Sequence, residues 1–336
     1  MIYVEAALLA LLAVLGGVCA ITDIRKGIIP NKYLLIGICC GIPLHTILLL
    51  LGAAPFYPTW LINMVLADIF AFLLYFNKLW AAGDAKLFMV LFFLLPPPLL
   101  DAGSLTYCVV PYIFIFIPAL IWVFVDSVVK FIRKEPRKTK PIELKELAIN
   151  IVRVMIETTG AFCLVSFFAE QFIIENELFF SFLLMVYAFF CSSNRYMKKW
   201  YIVLLHIPSI VIACILGRWV ISFPRWQNYV LLVIILALQQ FVSMYNYQRI
   251  ASSEAKKGMI PSAESVLLFM KSRVHSLPTD GSEELSAKIT EEEADAIHRW
   301  EKSVNGSPYI WIVRKIPFAI MIAFGFVAWT ISRIVR

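Results

Sequence analysis

The chain has 336 residues, of which 61% are hydrophobic and only 16% are charged, and its formal net charge at pH 7 is +7. Its mean hydropathy of +0.81 is well above the usual balance of a soluble domain. These values argue against a soluble domain. They predict an all-α, polytopic integral membrane bundle, because backbone groups inside a bilayer must be paired within helices. The excess lysine and arginine clusters in a few loops, where it indicates membrane topology rather than nucleic-acid binding.

Apolar runs long enough to cross a bilayer recur along the whole chain and predict about 9–10 transmembrane helices in a multi-pass protein of the cell membrane. The first run lacks a basic start and contains Glu5, so we expect a retained helix rather than a cleaved signal peptide. With the N-terminus outside, most basic loops fall in the cytoplasm. The predicted helices lie at 2–21, 33–53, 60–77, 86–100, 107–126, 149–169, 177–191, 200–217, 227–245 and 316–333.

Local signals place two helix boundaries. The run Pro96-Pro97-Pro98 is expected to end the fourth helix early, since proline cannot continue a helix interior. In the polar region 246–315, Thr290 and Glu293 form the pattern of a capping box and predict a helix from Thr290 to Lys302.

The seven cysteines lie in or beside apolar runs, and no CxxC pair is present. This pattern predicts neither a structural zinc site nor a disulfide framework. We therefore expect no metal and no cofactor.

Two short polar motifs lie at the edges of apolar runs. They are Thr22-Asp23-Ile24-Arg25, which continues to Ile29-Pro30-Asn31, and Ala81-Ala82-Gly83-Asp84-Ala85-Lys86. An ionised aspartate beside the hydrocarbon is costly, so such residues are candidates for function. The predicted topology puts Asp23 and Asp84 at one membrane depth, on the cytoplasmic side.

Two neighbouring carboxyl groups that share a proton can hydrolyse a peptide bond. The protonated group polarises the scissile carbonyl, and the ionised group takes a proton from the attacking water. Gly83 leaves room beside Asp84 for a substrate backbone. Pro30 and Asn31 restart the chain as a helix and are expected to fix the loop after Asp23.

Each motif alone has an ordinary structural explanation. The first also fits an interfacial topology signal, and the second fits a helix start with Asp84 near the N-cap. Asp68 and Asp126 are further acids in apolar runs, and a hydrogen bond between helices or a snorkelled helix end explains each of them equally well.

The two motifs resemble the paired motifs of the type IV prepilin peptidases, a family of membrane aspartyl peptidases that includes the archaeal preflagellin peptidase branch. The resemblance covers roughly residues 1–126. It implies that Asp23 and Asp84 are catalytic. It implies supporting or substrate-binding roles for Gly83, Lys86, Arg25, Pro30 and Asn31.

The resemblance also implies the substrates, which are prepilin-like membrane proteins whose short basic leader is cut at the cytoplasmic membrane face. Anionic lipid headgroups are expected to bring leader and enzyme to the same surface. This sequence departs from the family pattern at Ala81, where the GxGD motif has a glycine, and it lacks the zinc-bearing insert between the first two helices. No feature supports methyl transfer to the new N-terminus.

The pattern divides the chain into five parts. They are a prepilin-peptidase-like catalytic membrane domain at 1–126, a basic cytoplasmic loop at 127–148, additional transmembrane helices at 149–245, a cytoplasmic region at 246–315 and a C-terminal transmembrane helix at 316–336.

Two other functions stay open at this point. One is a proton- or ion-coupled transporter subunit in which Asp23, Asp68 and Asp84 form a pathway. The other is a catalytically inactive membrane scaffold whose working part is the region 246–315.

Overall fold

The computed structural model describes residues 1–76, 80–100, 106–135, 144–171, 199–217, single positions between 226 and 242, and residues 244–283, 287–314 and 317–335. The chain forms two compact units. The first comprises Met1–Leu120, Ile142–Leu236 and Pro317–Arg336, and the second comprises Ile121–Pro141 and Ala237–Ile316. The predicted helix at 177–191 and most of that at 227–245 lie outside the described residues.

The prediction of an all-α membrane bundle is confirmed, since the described residues are mostly helical. Three helical stretches among them are long and apolar enough to cross a membrane, namely Ile2–Lys26, Asn31–Phe76 and Val110–Ile132. The described helices of the bundle are α1 (Ile2–Lys26), α2 (Asn31–Leu48), α3 (Tyr57–Phe76), α4 (Ala82–Phe93), α5 (Val110–Ile132), α6 (Leu144–Gln171), α7 (Lys199–Ile215) and α10 (Ala319–Ile334).

Glycines break the helical path at the end of α1 and after the end of α2. Gly27 ends α1 in the left-handed conformation, with φ at 67°, and its N–H donates to the carbonyl oxygen of Asp23. Such a conformation is cheap only for glycine, which explains why the helix stops there. Gly52, with φ at 94°, breaks the helical path between α2 and α3.

Helix α4 is short, as predicted from the proline run. It has 12 residues and ends at Phe93, ahead of Pro96. His45 of α2 holds this end, because its Nε2–H donates to the carbonyl oxygen of Phe93 at 2.8 Å. Because this end of α4 is fixed, the residues at its other end have less freedom to move.

Buried polar groups join α3 to the start of α5. The Oδ1 of Asn63, which is fully buried, accepts from the backbone N–H of Cys108 at 2.8 Å. The Tyr112 hydroxyl donates to the carbonyl oxygen of Ala67 at 2.7 Å. An unpaired polar group in this interior is costly, so these pairs fix how the two helices meet.

The second unit contains a small antiparallel sheet with the strand order β1-β3-β2. Its elements are β1 (Tyr247–Ala251), β2 (Ile260–Pro261), α8 (Ala263–Phe269), α9 (Glu291–Glu301) and β3 (Tyr309–Val313). Phe269 and Trp300 meet edge to face in its core, with ring centroids 4.8 Å apart. The region between the last two predicted spans therefore has its own hydrophobic core.

The predicted capping box at the start of α9 is confirmed. The backbone N–H of Glu293 donates to the Thr290 hydroxyl at 3.2 Å, and the backbone N–H of Thr290 donates to the Glu293 carboxylate at 2.7 Å. The helix runs over Glu291–Glu301, as the sequence predicts.

Candidate active site

Asp23 lies in the last turns of α1, on the buried face of the helix, and is only 7% exposed. Its Oδ2 accepts a hydrogen bond from the backbone N–H of Ala319, the first residue of α10, at 3.3 Å. A buried carboxylate must be hydrogen-bonded, and this amide supplies one bond. The side chain is thereby tied to a second helix.

Asp84 is the third residue of α4 and is partly exposed. Its Oδ2 accepts from the backbone N–H of Ala81 at 3.2 Å. The carboxylate thus satisfies one of the free amides at the start of the helix and sits where the helix dipole favours negative charge.

The backbone conformation at Ala81 shows whether alanine can replace the first glycine of the GxGD motif. Ala81 has φ at −70° and ψ at 154°, an extended conformation. Any L-residue adopts this conformation without strain. Alanine at this motif position therefore costs nothing in backbone strain, and its N–H still reaches Asp84.

Helix contacts place the two carboxylates at one level of the bundle. A Cβ built on Gly16 of α1 would lie 3.7 Å from Leu91 of α4, so these two residues face each other. Asp23 lies seven residues after Gly16, and Asp84 lies seven residues before Leu91. Because α1 and α4 run antiparallel, the backbone of each aspartate lies about 10 Å along its helix axis from this contact, in the same direction.

The direction of α4 follows from its contacts with α2. Lys86 pairs with Asn31, and Gly37 and Gly41 approach Val90 and Leu94. The order of contacts rises along both helices, so α2 and α4 are parallel. A Cβ built on Gly37 would lie 2.6 Å from Leu15 of α1, so α1 and α2 pack side by side across the short connection Gly27 to Pro30 and are antiparallel. Helix α1 is therefore antiparallel to α4.

Gly83 packs against the loop that follows Asp23. A Cβ added at Gly83 would lie 3.2 Å from the Cβ of Ile29, closer than side chains usually come. Glycine thus lets the loop lie against the first turn of α4. The structure here brings Gly83 beside the loop, whereas the sequence suggested room for a substrate.

Three of the supporting residues meet near the start of α2. Pro30 is its N-cap and Asn31 its first residue. The Nζ of Lys86 donates to the Oδ1 of Asn31 at 3.4 Å, which links the two motifs directly. Arg25 lies on the exposed side of α1.

A groove of about 510 Å³ lies between α2 and α4, next to the Asn31–Lys86 pair. Most of its wall is apolar, and its two lysines lie at the end where both helices begin. The groove is lined by Asn31, Lys32, Leu34, Leu35, Ile38, Lys86, Met89 and Val90.

The two other acids named from the sequence have different surroundings. In the second unit, Asp126 pairs with Lys130 at 3.4 Å and bonds closely to Arg314. These partners explain Asp126 as a structural residue. The Oδ1 of Asp68 is buried and has no hydrogen-bond partner among the described residues. Those residues also contain no cluster of three or more metal-ligating side chains.

Sequence reasoning missed the contribution of Ala319. Its backbone N–H reaches Asp23 across 296 residues of sequence. No sequence signal marks such a donor, because every residue other than proline carries the same N–H.

The fold and the two motifs define a helical membrane protein with a pair of carboxyl groups at one end of the bundle. Residues 9–128 match the model of the type IV leader peptidase family. The predicted family resemblance is therefore confirmed for the segment that carries both motifs, and it supports a leader-peptidase-like activity in general. Neither a curated protein nor a solved structure matches the chain.

Proposed function

We propose that this protein is a membrane aspartyl endopeptidase that removes the short basic leader of type IV prepilin-like substrates at the cytoplasmic membrane face. The observation that carries this proposal is the common level of Asp23 and Asp84 on α1 and α4, inside the segment that matches the leader peptidase family. No other pair of acids in the described residues combines this placement with the family motifs.

The two carboxyl groups divide the chemistry between them. The ionised one takes a proton from a water molecule, whose oxygen attacks the scissile carbonyl carbon. The protonated one donates a hydrogen bond to the carbonyl oxygen as negative charge develops there. Collapse of the tetrahedral intermediate breaks the C–N bond, and the carboxyl group that took the proton from water gives it to the leaving amine.

Backbone amides hold both carboxylates in place for this reaction. Ala319 donates to Asp23, and Ala81 donates to Asp84. Fixed donors reduce the number of side-chain conformations and so reduce the cost of reaching the reactive geometry.

The groove between α2 and α4 fits the apolar segment that follows the leader. Its apolar wall begins beside the Asn31–Lys86 pair and continues away from the motif end of α4. Lys32 and Lys86 at the motif end repel a basic leader, which favours leaving the leader among anionic headgroups. The peptide bond between the two parts then lies near Asp84.

Filling this groove is expected to weaken substrate binding. In Leu35→Trp, the indole occupies space that the substrate needs, and KM rises about tenfold while kcat changes little. The matched control is Ile36→Trp, a change at the next residue of α2, which is also exposed but does not line the groove. Leader removal is measured at several substrate concentrations, and equal KM values in both variants contradict the docking site.

The proposed function is tested by producing the protein together with a prepilin-like substrate in a heterologous membrane. Mass spectrometry of the substrate's N-terminus then reports loss of the leader and any added methyl group. Loss of the leader that depends on Asp84 supports the proposal. An intact leader across several substrates of this type contradicts it.

The buried oxygen of Asp68 is the one observation that favours an ion pathway instead. The variant Asp68→Asn distinguishes the peptidase from the ion pathway. A peptidase with the dyad proposed above retains leader removal in this variant, because Asp68 takes no part in the reaction. Proton-coupled uptake into vesicles that is lost in Asp68→Asn supports the transporter.

A further inference from the structure

We propose that the C-terminal helix α10 is part of the active site and that the backbone N–H of Ala319 is a positioning group for Asp23. This inference rests on the proposed function and assigns a role to a segment beyond the family match, which ends at residue 128. The role follows from the packing of α10 and from one hydrogen bond.

Helix α10 packs closely along α1. A Cβ built on Gly16 would lie only 3.0 Å from the Cβ of Ala323, so the two backbones approach as closely as glycine permits. The inward side of α10 is fully buried at Ala319, Ile322 and Phe326. Small residues at such contacts let membrane helices pack by dispersion, which fixes their relative position.

An aromatic cluster fixes the start of α10. Phe318, the N-cap residue, packs at a tilt against Trp80, with ring centroids 5.6 Å apart, and against Phe116, with centroids 6.0 Å apart. Trp80 directly precedes the second motif. The first turn of α10 is thus held between α5 and the segment that leads to Asp84.

The first amides of a helix have no acceptor within the helix. That of Ala319 finds one in the Oδ2 of Asp23, at 3.3 Å in a buried setting. A donor fixed by the surrounding packing restricts the Asp23 side chain to one orientation. Without this hydrogen bond the Asp23 side chain would sample several rotamers. That would lower kcat and leave the affinity for substrate unchanged.

The test removes this single N–H. Ala319→Pro deletes the donor at the first helical position, where proline fits a helix best. The control is Ile320→Pro, which puts proline in the same turn, on a residue that is 39% exposed. In both variants the preceding residue has helical dihedrals, so both bear the same steric cost.

We expect Ala319→Pro to lower kcat by about tenfold to a hundredfold with KM within about twofold. Ile320→Pro is expected to keep both constants near those of the unchanged protein. Equal kcat values in the two proline variants overturn the inference, while leader removal by the unchanged protein still supports the proposed function. Absence of leader removal in the unchanged protein contradicts both.

Contact between α10 and α1 is tested without any activity. Oxidation of the Gly16→Cys, Ala323→Cys variant in membranes is expected to form a disulfide, since the two Cβ atoms lie 3.0 Å apart and a small shift brings them to the usual separation of about 3.5–4.5 Å. The control pairs Ala323→Cys with Gly17→Cys, because a Cβ at Gly17 meets no atom within 4 Å. Mass spectrometry of tryptic peptides detects the bond. Equal yields in the two pairs overturn the proposed role of α10.

Discussion

Asp23→Asn and Asp84→Asn are each expected to reduce leader removal by about a thousandfold, because one carboxyl group cannot act as both acid and base. The amide keeps the size of the side chain and one carbonyl-type oxygen, so the Ala319 and Ala81 amides retain an acceptor. Helix packing is therefore preserved while the chemistry is lost. Mass spectrometry of the substrate's N-terminus measures the effect.

The matched control is Asp295→Asn, the same chemical change on the exposed side of α9. This variant should remove the leader at the unchanged rate. Equal amounts of all three variants in the membrane fraction separate loss of chemistry from loss of protein. Substantial cleavage by either Asp23→Asn or Asp84→Asn refutes the two-aspartate mechanism.

Gly16→Leu is expected to have the second-largest effect, because Gly16 marks the point where α1, α4 and α10 meet. Its added Cβ alone lies 3.0 Å from Ala323, and three further carbons have to displace a neighbouring helix. Overpacking of this kind typically costs about 1–3 kcal/mol. We expect a lower thermal unfolding temperature in detergent and at least about a tenfold loss of leader removal, since both carboxylates depend on this contact.

Gly17→Leu adds the same side chain one residue later, where a Cβ meets nothing within 4 Å. It is expected to leave the unfolding temperature and the rate of leader removal unchanged. If the two leucine variants behave alike, the close packing at Gly16 does not support the site.

Local signals in the sequence were sufficient to predict several helix boundaries. The proline run ends α4, and Thr290 with Glu293 starts α9, because both effects act within one helical turn. Hydrophobicity was sufficient to predict the helical membrane bundle, because inside the bilayer the N–H and C=O groups of these segments have to be hydrogen-bonded within helices. The two motifs were sufficient to predict the family resemblance that residues 9–128 show, although the catalytic roles of Asp23 and Asp84 remain predictions.

Contacts between distant residues were not predictable in this way. The sequence left Asp126 open as a candidate, and only the fold places it beside Arg314, 188 residues away. It also left the effect of Ala81 open, because whether alanine can replace glycine depends on φ, and the value of −70° belongs to the folded backbone.

The sequence by itself therefore determined a helical membrane protein with two candidate aspartates, in a segment that resembles the leader peptidase family. Only the tertiary structure decided that α10 adjoins Asp23 and that α4 packs against α1 at Gly16. The physical reason is that side-chain chemistry and helix periodicity depend only on the local sequence. Which backbone amide meets which carboxylate depends instead on how glycine and alanine let the helices pack.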